Sequence, residues 1–288
     1  MRPAPFQLER YFARHEFCTP HLLCTSDCES LAVEDLLQLE SGAREALTSL
    51  WLGYTESQGS PKLREQIASL YETLHSEQIL VHSGAEEAIF NFMNVALKAG
   101  DEIIVPAPCY QSLGEVARAG GARVIDWPAD PRRNWELDLN FLQDQVSDRT
   151  RAVVVNFPHN PTGYLPEPGF LQALSRLSDQ HGFLVLCDEV YRGLEYDPSD
   201  RLPCFADVNE RGVSLGVMSK TYGLAGLRIG WAATRNRELY EALASFKDYT
   251  TICNSAPSEY LAGLALRHKD RLVQRNLEII KTNLNRLN

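Results

Sequence analysis

One lysine in a glycine-rich segment has the surroundings of a reactive amine. Lys220 follows an apolar run, Val213–Met218, that predicts a strand. A lysine at the end of a buried strand, desolvated and close to another cation, has a lowered pKa and can form an imine with a carbonyl group. Ser219, Arg228 and the intervening glycines are residue types that suit a phosphate. A lysine imine beside a phosphate site indicates pyridoxal 5'-phosphate (PLP) as cofactor, with Lys220 as its Schiff-base partner.

A small-residue turn upstream is a second candidate phosphate site. In HSGAEEAIF, residues 82–90, a strand ends, a turn of Ser83, Gly84 and Ala85 follows, and a helix begins. Free backbone N–H groups and the helix dipole favour an anion at such a position. Tyr110, in APCYQSL, can lay its ring on a flat heteroaromatic group. A plain strand-to-helix turn and a core tyrosine are the alternatives for each segment taken alone.

Two strand ends contribute polar groups that suit the cofactor ring. Asn160 precedes Pro161 in NFPHNPTG, where its amide can reach a ligand oxygen. Asp188 ends the apolar strand of FLVLCDEVYRG, where a carboxylate is costly unless it is paired. A protonated pyridine nitrogen, which makes the ring an electron sink, is a suitable partner, with a capping or salt-bridged aspartate as the alternative. Tyr191 can donate to the phenolate oxygen of the ring beside Asn160.

The composition excludes several function classes. The 288 residues carry a formal net charge of −10, which offers no basic surface to nucleic acid. The seven cysteines include Cys24 and Cys28 near His21, but no second ligand pair follows at zinc spacing, so no metal site is predicted. No apolar run approaches the about 20 residues that span a bilayer, and the N-terminus lacks a signal-peptide core. We therefore expect a cytoplasmic protein without a membrane or nucleic-acid partner.

Strand and helix patterns alternate from about residue 45. The predicted strands are Gln78–Ser83, Glu102–Pro106, Arg123–Trp127, Arg151–Phe157, Phe183–Asp188, Val213–Ser219 and Leu227–Thr234. Several are short apolar runs, as expected for strands buried on both faces of a parallel sheet. The predicted helices include one capped by Ser60 with Pro61 at its first position, one over Gly84–Lys98, and one over His268–Asn288. This alternation predicts an α/β fold with a largely parallel sheet.

In this order, the segments resemble those of the class I and II aminotransferases of PLP fold type I. The resemblance covers about residues 45–265 and implies a three-layer α/β sandwich around a mostly parallel seven-stranded sheet. It implies that Lys220 forms the Schiff base and later moves the proton, that Asp188 pairs with the pyridine nitrogen, and that Tyr110 stacks on the ring. Asn160 and Tyr191 would hold the phenolate oxygen. The implied phosphate ligands are Ser83, Gly84, Ala85, Ser219 and Arg228.

The resemblance also implies partners. Tyr54, in LGYTESQGSPKLRE, matches the segment in which a tyrosine reaches the phosphate of the neighbouring site, which requires a homodimer. The expected reaction moves an amino group between an amino acid and a 2-oxo acid. In the family, the arginine that grips the substrate carboxylate normally lies in a small C-terminal domain. Arg286 is not assigned that role, because it lies on the predicted connecting helix.

Three ranges are expected along the chain. Residues 1–44 form an N-terminal arm and part of the small domain, residues 45–265 the large PLP-binding domain, and residues 266–288 the start of a connecting helix. The pattern of that last helix has no closing Gly, Pro or polar cap. We therefore expect the C-terminal small domain to be largely missing from this chain.

The same set of PLP-binding residues can serve several reactions. β-Elimination, decarboxylation and amino-acid cyclisation begin at the same imine, so a β-lyase, a decarboxylase and a cyclase are alternatives to an aminotransferase. The stretch over residues 9–37 is similar to the subgroup that includes capreomycidine synthase, where Ser26 and Asp27 would line the substrate side unless they form a plain surface loop. A catalytically inactive truncated relative is a further alternative. A transcription regulator is disfavoured, because no helix-turn-helix precedes the core.

Overall fold

A mostly parallel sheet forms the centre of the computed structural model, which describes residues 1–287. Its strands are β1 (Ile79–His82), β2 (Glu102–Ala107), β3 (Arg123–Asp130), β4 (Glu136–Leu137), β5 (Thr150–Asn156), β6 (Leu184–Asp188), β7 (Gly212–Val217) and β8 (Gly230–Ala233). Their order is β1-β8-β7-β6-β5-β2-β3-β4. The five strands β7, β6, β5, β2 and β3 pair in parallel, whereas β1, β8 and β4 run antiparallel to their neighbours.

All seven predicted strands are present, which confirms the α/β fold with its mostly parallel sheet. The two-residue β4 adds an eighth strand, because Leu137 pairs with Ala129 at the end of β3. Two boundaries shift by three residues: β3 was predicted to end at Trp127 but ends at Asp130, and the last strand was predicted from Leu227 but begins at Gly230. Residues 225–227 instead form a short 3₁₀ turn that ends at Arg228 in a left-handed conformation (φ +52°).

Helices cover both faces of the sheet and complete the three-layer sandwich. They are α1 (Gln7–His15), α2 (Val33–Leu37), α3 (Ala43–Thr48), α4 (Pro61–Ala68), α5 (Ala85–Ala96), α6 (Ser112–Ala119), α7 (Leu139–Gln145), α8 (Phe170–His181), α9 (Phe205–Val208), α10 (Arg237–Lys247), α11 (Ala256–Arg267) and α12 (Lys269–Leu287). Alternate strand residues face opposite layers. Leu80 packs with α5, α6 and α10, whereas Val81 packs with α4 and α11, and Val185 with α7 and α8.

Two predicted helix starts differ in detail from the structure. The helix α4 begins at Pro61 as predicted, but the Ser60 hydroxyl makes no capping bond, and the Ser60 backbone N–H donates to Glu259 at 3.0 Å instead. The helix α5 begins at Ala85 and not at Gly84, because Gly84 has φ +89° and ψ 167°, which is not a helical conformation.

The N-terminal region contains more regular structure than an arm with one short helix. Both α1 and α2 lie within residues 1–40, and α3 follows them. The segment that leads into α1 is tied to α6, since the Ala4 N–H donates to Glu115 at 2.9 Å and the Gln7 N–H donates to Gln111 at 3.0 Å. The division of the chain into residues 1–44, 45–265 and 266–288 stays a prediction. Position 288, at the end of the last predicted helix, lies outside the residues that the structure describes.

The central strands leave no room for a side chain at one glycine. Gly216 of β7 pairs with Trp231 of β8, and a Cβ on Gly216 would lie 2.2 Å from the Trp231 indole. The indole cannot move aside easily, because it is buried and its Nε1–H donates to the Tyr71 hydroxyl at 2.8 Å. The sheet therefore depends on glycine at this position to keep β7 and β8 in register beside the turn that carries Lys220.

We expect Gly216→Ala to lower the free energy of unfolding by about 1–3 kcal/mol, because the added methyl group overpacks the Trp231 ring. Denaturant unfolding measures the change. Gly226→Ala is the matched control: it lies exposed with no atom near its would-be Cβ, and its effect should stay below about 0.5 kcal/mol. Equal stability of the two variants would contradict this account of the packing.

Candidate active site

A cavity of about 400 Å³ opens at the carboxyl ends of the central parallel strands. Eight of the eleven predicted site residues line it, namely Ala85, Tyr110, Asn160, Asp188, Tyr191, Ser219, Lys220 and Arg228. Three do not line it, namely Tyr54, Ser83 and Gly84. The parallel order of β5, β6 and β7 explains why residues far apart in sequence meet, since parallel strands end at the same edge of the sheet.

An amide network ties the ends of β5 and β6 together. Asn156 is paired with Asp188 in the strand register, and the Asn156 side-chain amide donates to the Asp188 carbonyl at 2.9 Å. The Asn156 side-chain oxygen accepts the Asn160 N–H at 2.7 Å, which fixes the start of the loop that carries Asn160. Asn156 also lines the cavity. The sequence analysis did not single it out, although it begins the NFPHNPTG segment at a strand end.

Asp188 presents a buried carboxylate to the cavity. The residue is 5% exposed, and its Oδ1 accepts the Val190 N–H at 3.2 Å. Burial raises the pKa of Asp188 to about 7, the charge of Glu189 adds to that effect, and the Val190 N–H and Lys220 oppose it. A carboxylate in this position favours a bound cationic group, which would stabilise its charged form.

Lys220 lies across the cavity with a pKa that differs from the expectation. Its Nζ forms an ion pair with Asp27 and donates to the Ser26 hydroxyl at 3.2 Å. Burial lowers the pKa of Lys220, but Tyr191, Asp27 and Asp188 outweigh burial and raise it overall. The prediction of a lowered pKa is therefore wrong for this form of the protein, because anionic groups lie closer to Nζ than a second cation does.

The loop that carries Ser26 and Asp27 forms one wall of the cavity. The Tyr191 hydroxyl donates to the Ser26 hydroxyl at 2.9 Å, and the Lys220 Nζ lies 6.0 Å from the centre of the Tyr191 ring. Cys24 and Thr25 line the same wall. Ser26 and Asp27 both line the cavity, and both are also exposed, so the loop lies at the protein surface beside the cavity.

Arg228 and the turn at Gly84 bring groups that favour an anion to the cavity, where the Glu86 carboxylate also lines the wall. Arg228 donates from Nη1 to the Ala225 carbonyl at 3.1 Å, and its Nη2 would lie 2.6 Å from a Cβ on Gly84. A Cβ at Gly84 would displace the guanidinium from its place beside the turn, and φ +89° at this position also favours glycine. The helix α5 begins here at Ala85 with unpaired backbone N–H groups. The Ser83 N–H points elsewhere and donates to Glu87 at 2.5 Å.

The helix α1 supplies a further wall that the sequence analysis did not anticipate. Tyr110 packs against Phe6, with ring centres 5.1 Å apart, and its hydroxyl donates to Glu9 at 3.4 Å. Burial raises the pKa of Tyr110, and neighbouring carboxylates add to the shift. Glu9, Phe12 and Glu16 line the cavity. Glu9 and Phe12 lie on one face of α1 and Glu16 caps its end, so their helical spacing was the available signal.

Tyr54 lies away from this cavity. Its side chain is 85% exposed and lines a second, open depression with Leu52, Cys253 and Asn254.

Within residues 1–287, no group of three or more His, Cys, Asp or Glu side chains is arranged to hold a metal ion. No helix in the same range has both the length and the apolar character needed to cross a membrane.

Comparisons with known proteins agree with this geometry. A family model described as "Aminotransferase class I and II" matches residues 22–288. Capreomycidine synthase from Streptomyces vinaceus is 33% identical over 246 residues, which are 85% of this chain and 62% of that protein. The chain belongs to the class I and II aminotransferase family. It spans less than two thirds of the length of this relative.

Solved structures show the same fold. A PLP-dependent aminotransferase from Streptococcus suis 89-1591 superposes with a TM-score of 0.93 at 30% identity, covering 100% of this chain and 77% of that one. The PLP-dependent cyclase OrfR superposes with a TM-score of 0.89 at 32% identity, covering 100% and 75%. Family membership implies PLP as the cofactor. The buried Asp188 carboxylate and the cradle between Gly84 and Arg228 fit its cationic ring nitrogen and its phosphate.

The raised pKa of Asp188 has a consequence for the stability of the cofactor-free protein. Between about pH 4, where an unfolded aspartate ionises, and pH 7, the folded protein keeps a proton that the unfolded chain has lost. We expect the free energy of unfolding to fall over this interval, relative to that of Asp188→Asn, by up to about 4 kcal/mol. Denaturant unfolding at several pH values tests this. Parallel pH profiles for the two proteins would refute a raised pKa.

Proposed function

We propose that this chain carries the PLP site of an aminotransferase that moves an amino group between an amino acid and a 2-oxo acid. The observation that carries the proposal is the arrangement of one cavity, in which the Lys220 amine, the buried Asp188 carboxylate and the cradle at Arg228 each face the interior. Membership of the aminotransferase family and the likeness to a PLP-dependent aminotransferase support the same reaction.

The cofactor is held at three points in this proposal. Arg228, Ser219 and the turn of Gly84 and Ala85 bind the phosphate, because a guanidinium and free backbone N–H groups favour a dianion. Asp188 holds the ring nitrogen in its protonated form. Asn160 and Tyr191 donate to the phenolate oxygen, and Tyr110 lies against the ring face. Ser83 contributes through the shape of the turn, since its own N–H is engaged by Glu87.

Lys220 has two tasks. Bound PLP supplies an aldehyde for imine formation and an electron-withdrawing ring that eases removal of the substrate α-proton. The Lys220 Nζ would be the point at which PLP is attached to the protein. Once the substrate has replaced it there, the free Lys220 amine would accept the α-proton of the substrate and return it to a carbon of the cofactor. Asp27 and Ser26 hold the free ammonium, which keeps Nζ on the side of the cavity that faces the substrate.

A homodimer completes the site in this proposal. Tyr54 is exposed and lies away from the cavity of its own chain, as expected for a residue that serves a neighbouring site. Trp51 and Leu52 beside it are also more than three-quarters exposed, and apolar surface of this kind is typical of an interface. The amino acid, the 2-oxo acid and the second subunit are therefore the proposed partners.

We expect Lys220→Ala to abolish the visible absorbance of the imine that wild-type protein shows with PLP, because Lys220 supplies the amine. Absorbance spectroscopy of the purified proteins with added PLP is the measurement. The control is Lys62→Ala, which removes an exposed lysine and should keep the imine absorbance band. Lys247 is less suitable as a control because it is buried. An unchanged absorbance band in Lys220→Ala would contradict the assignment of Lys220 as the lysine that forms the imine with PLP.

A second candidate function, amino-acid cyclisation, is favoured by the charge of the cavity wall. Glu9, Glu16 and Asp27 line the side formed by the N-terminal region, whereas Lys220 and Arg228 are the cations on the lining among residues 1–287. Three carboxylates at the substrate side favour a substrate with a cationic side chain. The relatives named capreomycidine synthase and cyclase OrfR support this alternative. A β-lyase or a decarboxylase has no such specific support here.

The two functions differ in their products. A 2-oxo acid product indicates transamination, and a cyclised amino acid indicates the alternative.

The cavity wall predicts a preference among substrates. We expect the kcat/KM for arginine to exceed that for aspartate by about 10-fold or more, because a partly desolvated ion pair contributes on this scale. Glu16→Gln should reduce the preference, while Glu29→Gln, an exposed carboxylate of the same region that does not line the cavity, should leave it unchanged. A preference for aspartate would contradict this interpretation of the wall.

A further inference from the structure

A carboxylate behind the phosphate turn joins two segments that are far apart in sequence. Glu87 accepts the Ser83 N–H on Oε2 at 2.5 Å. Its Oε1 accepts the hydroxyls of Thr250 at 2.5 Å and Thr251 at 2.7 Å. These threonines belong to the loop between α10 and α11, residues 248–255, which we call the α10–α11 loop. One side chain therefore holds both the turn and the loop.

The surroundings of Glu87 keep its carboxylate ionised. Burial by itself raises the pKa of Glu87, but the ring of His82 and the donors from Thr250, Ser83 and Thr251 outweigh burial and lower it to about 2. His82 is fully buried, and its Nδ1 lies 3.8 Å from Oε2. The carboxylate is therefore ionised at neutral pH, where it accepts these hydrogen bonds.

The exposed half of the α10–α11 loop is held by hydrogen bonds and not by buried apolar side chains. Tyr249 is 88% exposed and Ile252 is 54% exposed, whereas the backbone N–H groups of residues 250–252 donate to the Lys247 carbonyl and Asn254 is buried. Ile252 has φ +63°, a left-handed conformation that is unfavourable for a β-branched residue. The buried Lys247 holds this residue by donating from Nζ to the Ile252 carbonyl at 3.2 Å. The two bonds to Glu87 are the contacts that join the threonines of this loop to the helix that follows the turn.

The loop continues to the segment that carries Tyr54. Thr55 donates from its hydroxyl to the Asn254 carbonyl at 3.1 Å, and Tyr54 shares an open depression with Asn254. Hydrogen bonds at Glu87 and at Thr55, joined by the backbone of the loop, therefore connect the phosphate turn to the exposed surface.

We propose that Glu87 is a positioning residue that fastens the turn 83–85 to the α10–α11 loop, so that phosphate binding at the turn and ordering of the loop favour each other. This inference rests on the proposed function, because it takes the turn to be the phosphate site of PLP. Glu87 does not line the cavity and acts only through the turn. A ligand that fixes the turn restrains Glu87, and Glu87 in turn restrains both threonine hydroxyls.

The test compares PLP affinity in four proteins: wild type, Glu87→Gln, the Thr250→Val/Thr251→Val pair, and all three changes together. The threonines do not touch the turn, so a loss of affinity in the valine pair must act through Glu87. We expect the dissociation constant for PLP to rise about 10-fold in Glu87→Gln and by several-fold in the valine pair, since hydrogen bonds to a charged group are lost. The combined variant should lose no more than Glu87→Gln alone.

Hydrogen exchange is a second measurement. If Glu87 only stabilised the fold, its substitution would not change the effect of PLP on amide exchange in the loop. PLP should slow amide exchange in residues 248–255 of the wild type and leave it unchanged in Glu87→Gln. Glu241→Gln, which breaks an exposed ion pair with Arg237 on α10, is the matched control and should behave as the wild type does.

Each outcome decides the proposal. Unchanged PLP affinity in the variants, additive losses in the combined variant, or equal loop protection in Glu87→Gln would overturn it while leaving the cofactor site intact. If Glu87→Gln does not fold, the valine pair decides alone. Absence of PLP binding by the wild-type protein would instead overturn the proposed function together with this inference.

Discussion

A carboxylate buried at the end of β6 is the constraint on which the site depends. Pairing of Asp188 with Asn156 and Leu215 fixes its backbone in the middle of the sheet, and the residue is only 5% exposed, at the wall of the cavity. A buried carboxylate must hold a proton or meet a cation. The neighbouring strand ends put Asn160 and the Lys220 turn around the same cavity. The site is thus electrostatically complete only when a cationic group lies against Asp188, and the ring nitrogen of PLP is such a group.

The two ends of the cavity differ in charge and in origin. The sheet and the start of α5 form the end at Arg228, where backbone N–H groups and a guanidinium favour an anion. The N-terminal region forms the other wall, with carboxylates at Glu9, Glu16 and Asp27. The first end suits a cofactor that is common to a whole family. In the proposed function the second wall would face the substrate, and differences between related enzymes would then arise there.

Much of the fold and of the site could be predicted, and the errors in the electrostatics and lining of the cavity share one cause. Strand positions followed from apolar runs, and the residues at strand ends met because parallel strands finish at one edge. The pKa of Lys220 was predicted in the wrong direction, because Asp27 is 193 positions away in sequence and only folding brings it to Nζ. Glu9 and Glu16 were missed for the same reason, since nothing local links α1 to Tyr110.

The sequence by itself determined the types of the elements and the chemistry of the residues that end them. Period-two and period-3.6 patterns are local, and so are a lysine, an aspartate and a glycine turn placed at strand ends. Only the tertiary structure decided which groups face one another, and therefore the charge of the cavity wall and the direction of the pKa shifts. Electrostatic energies depend on distances and burial, and both are set by long-range packing that no local pattern encodes.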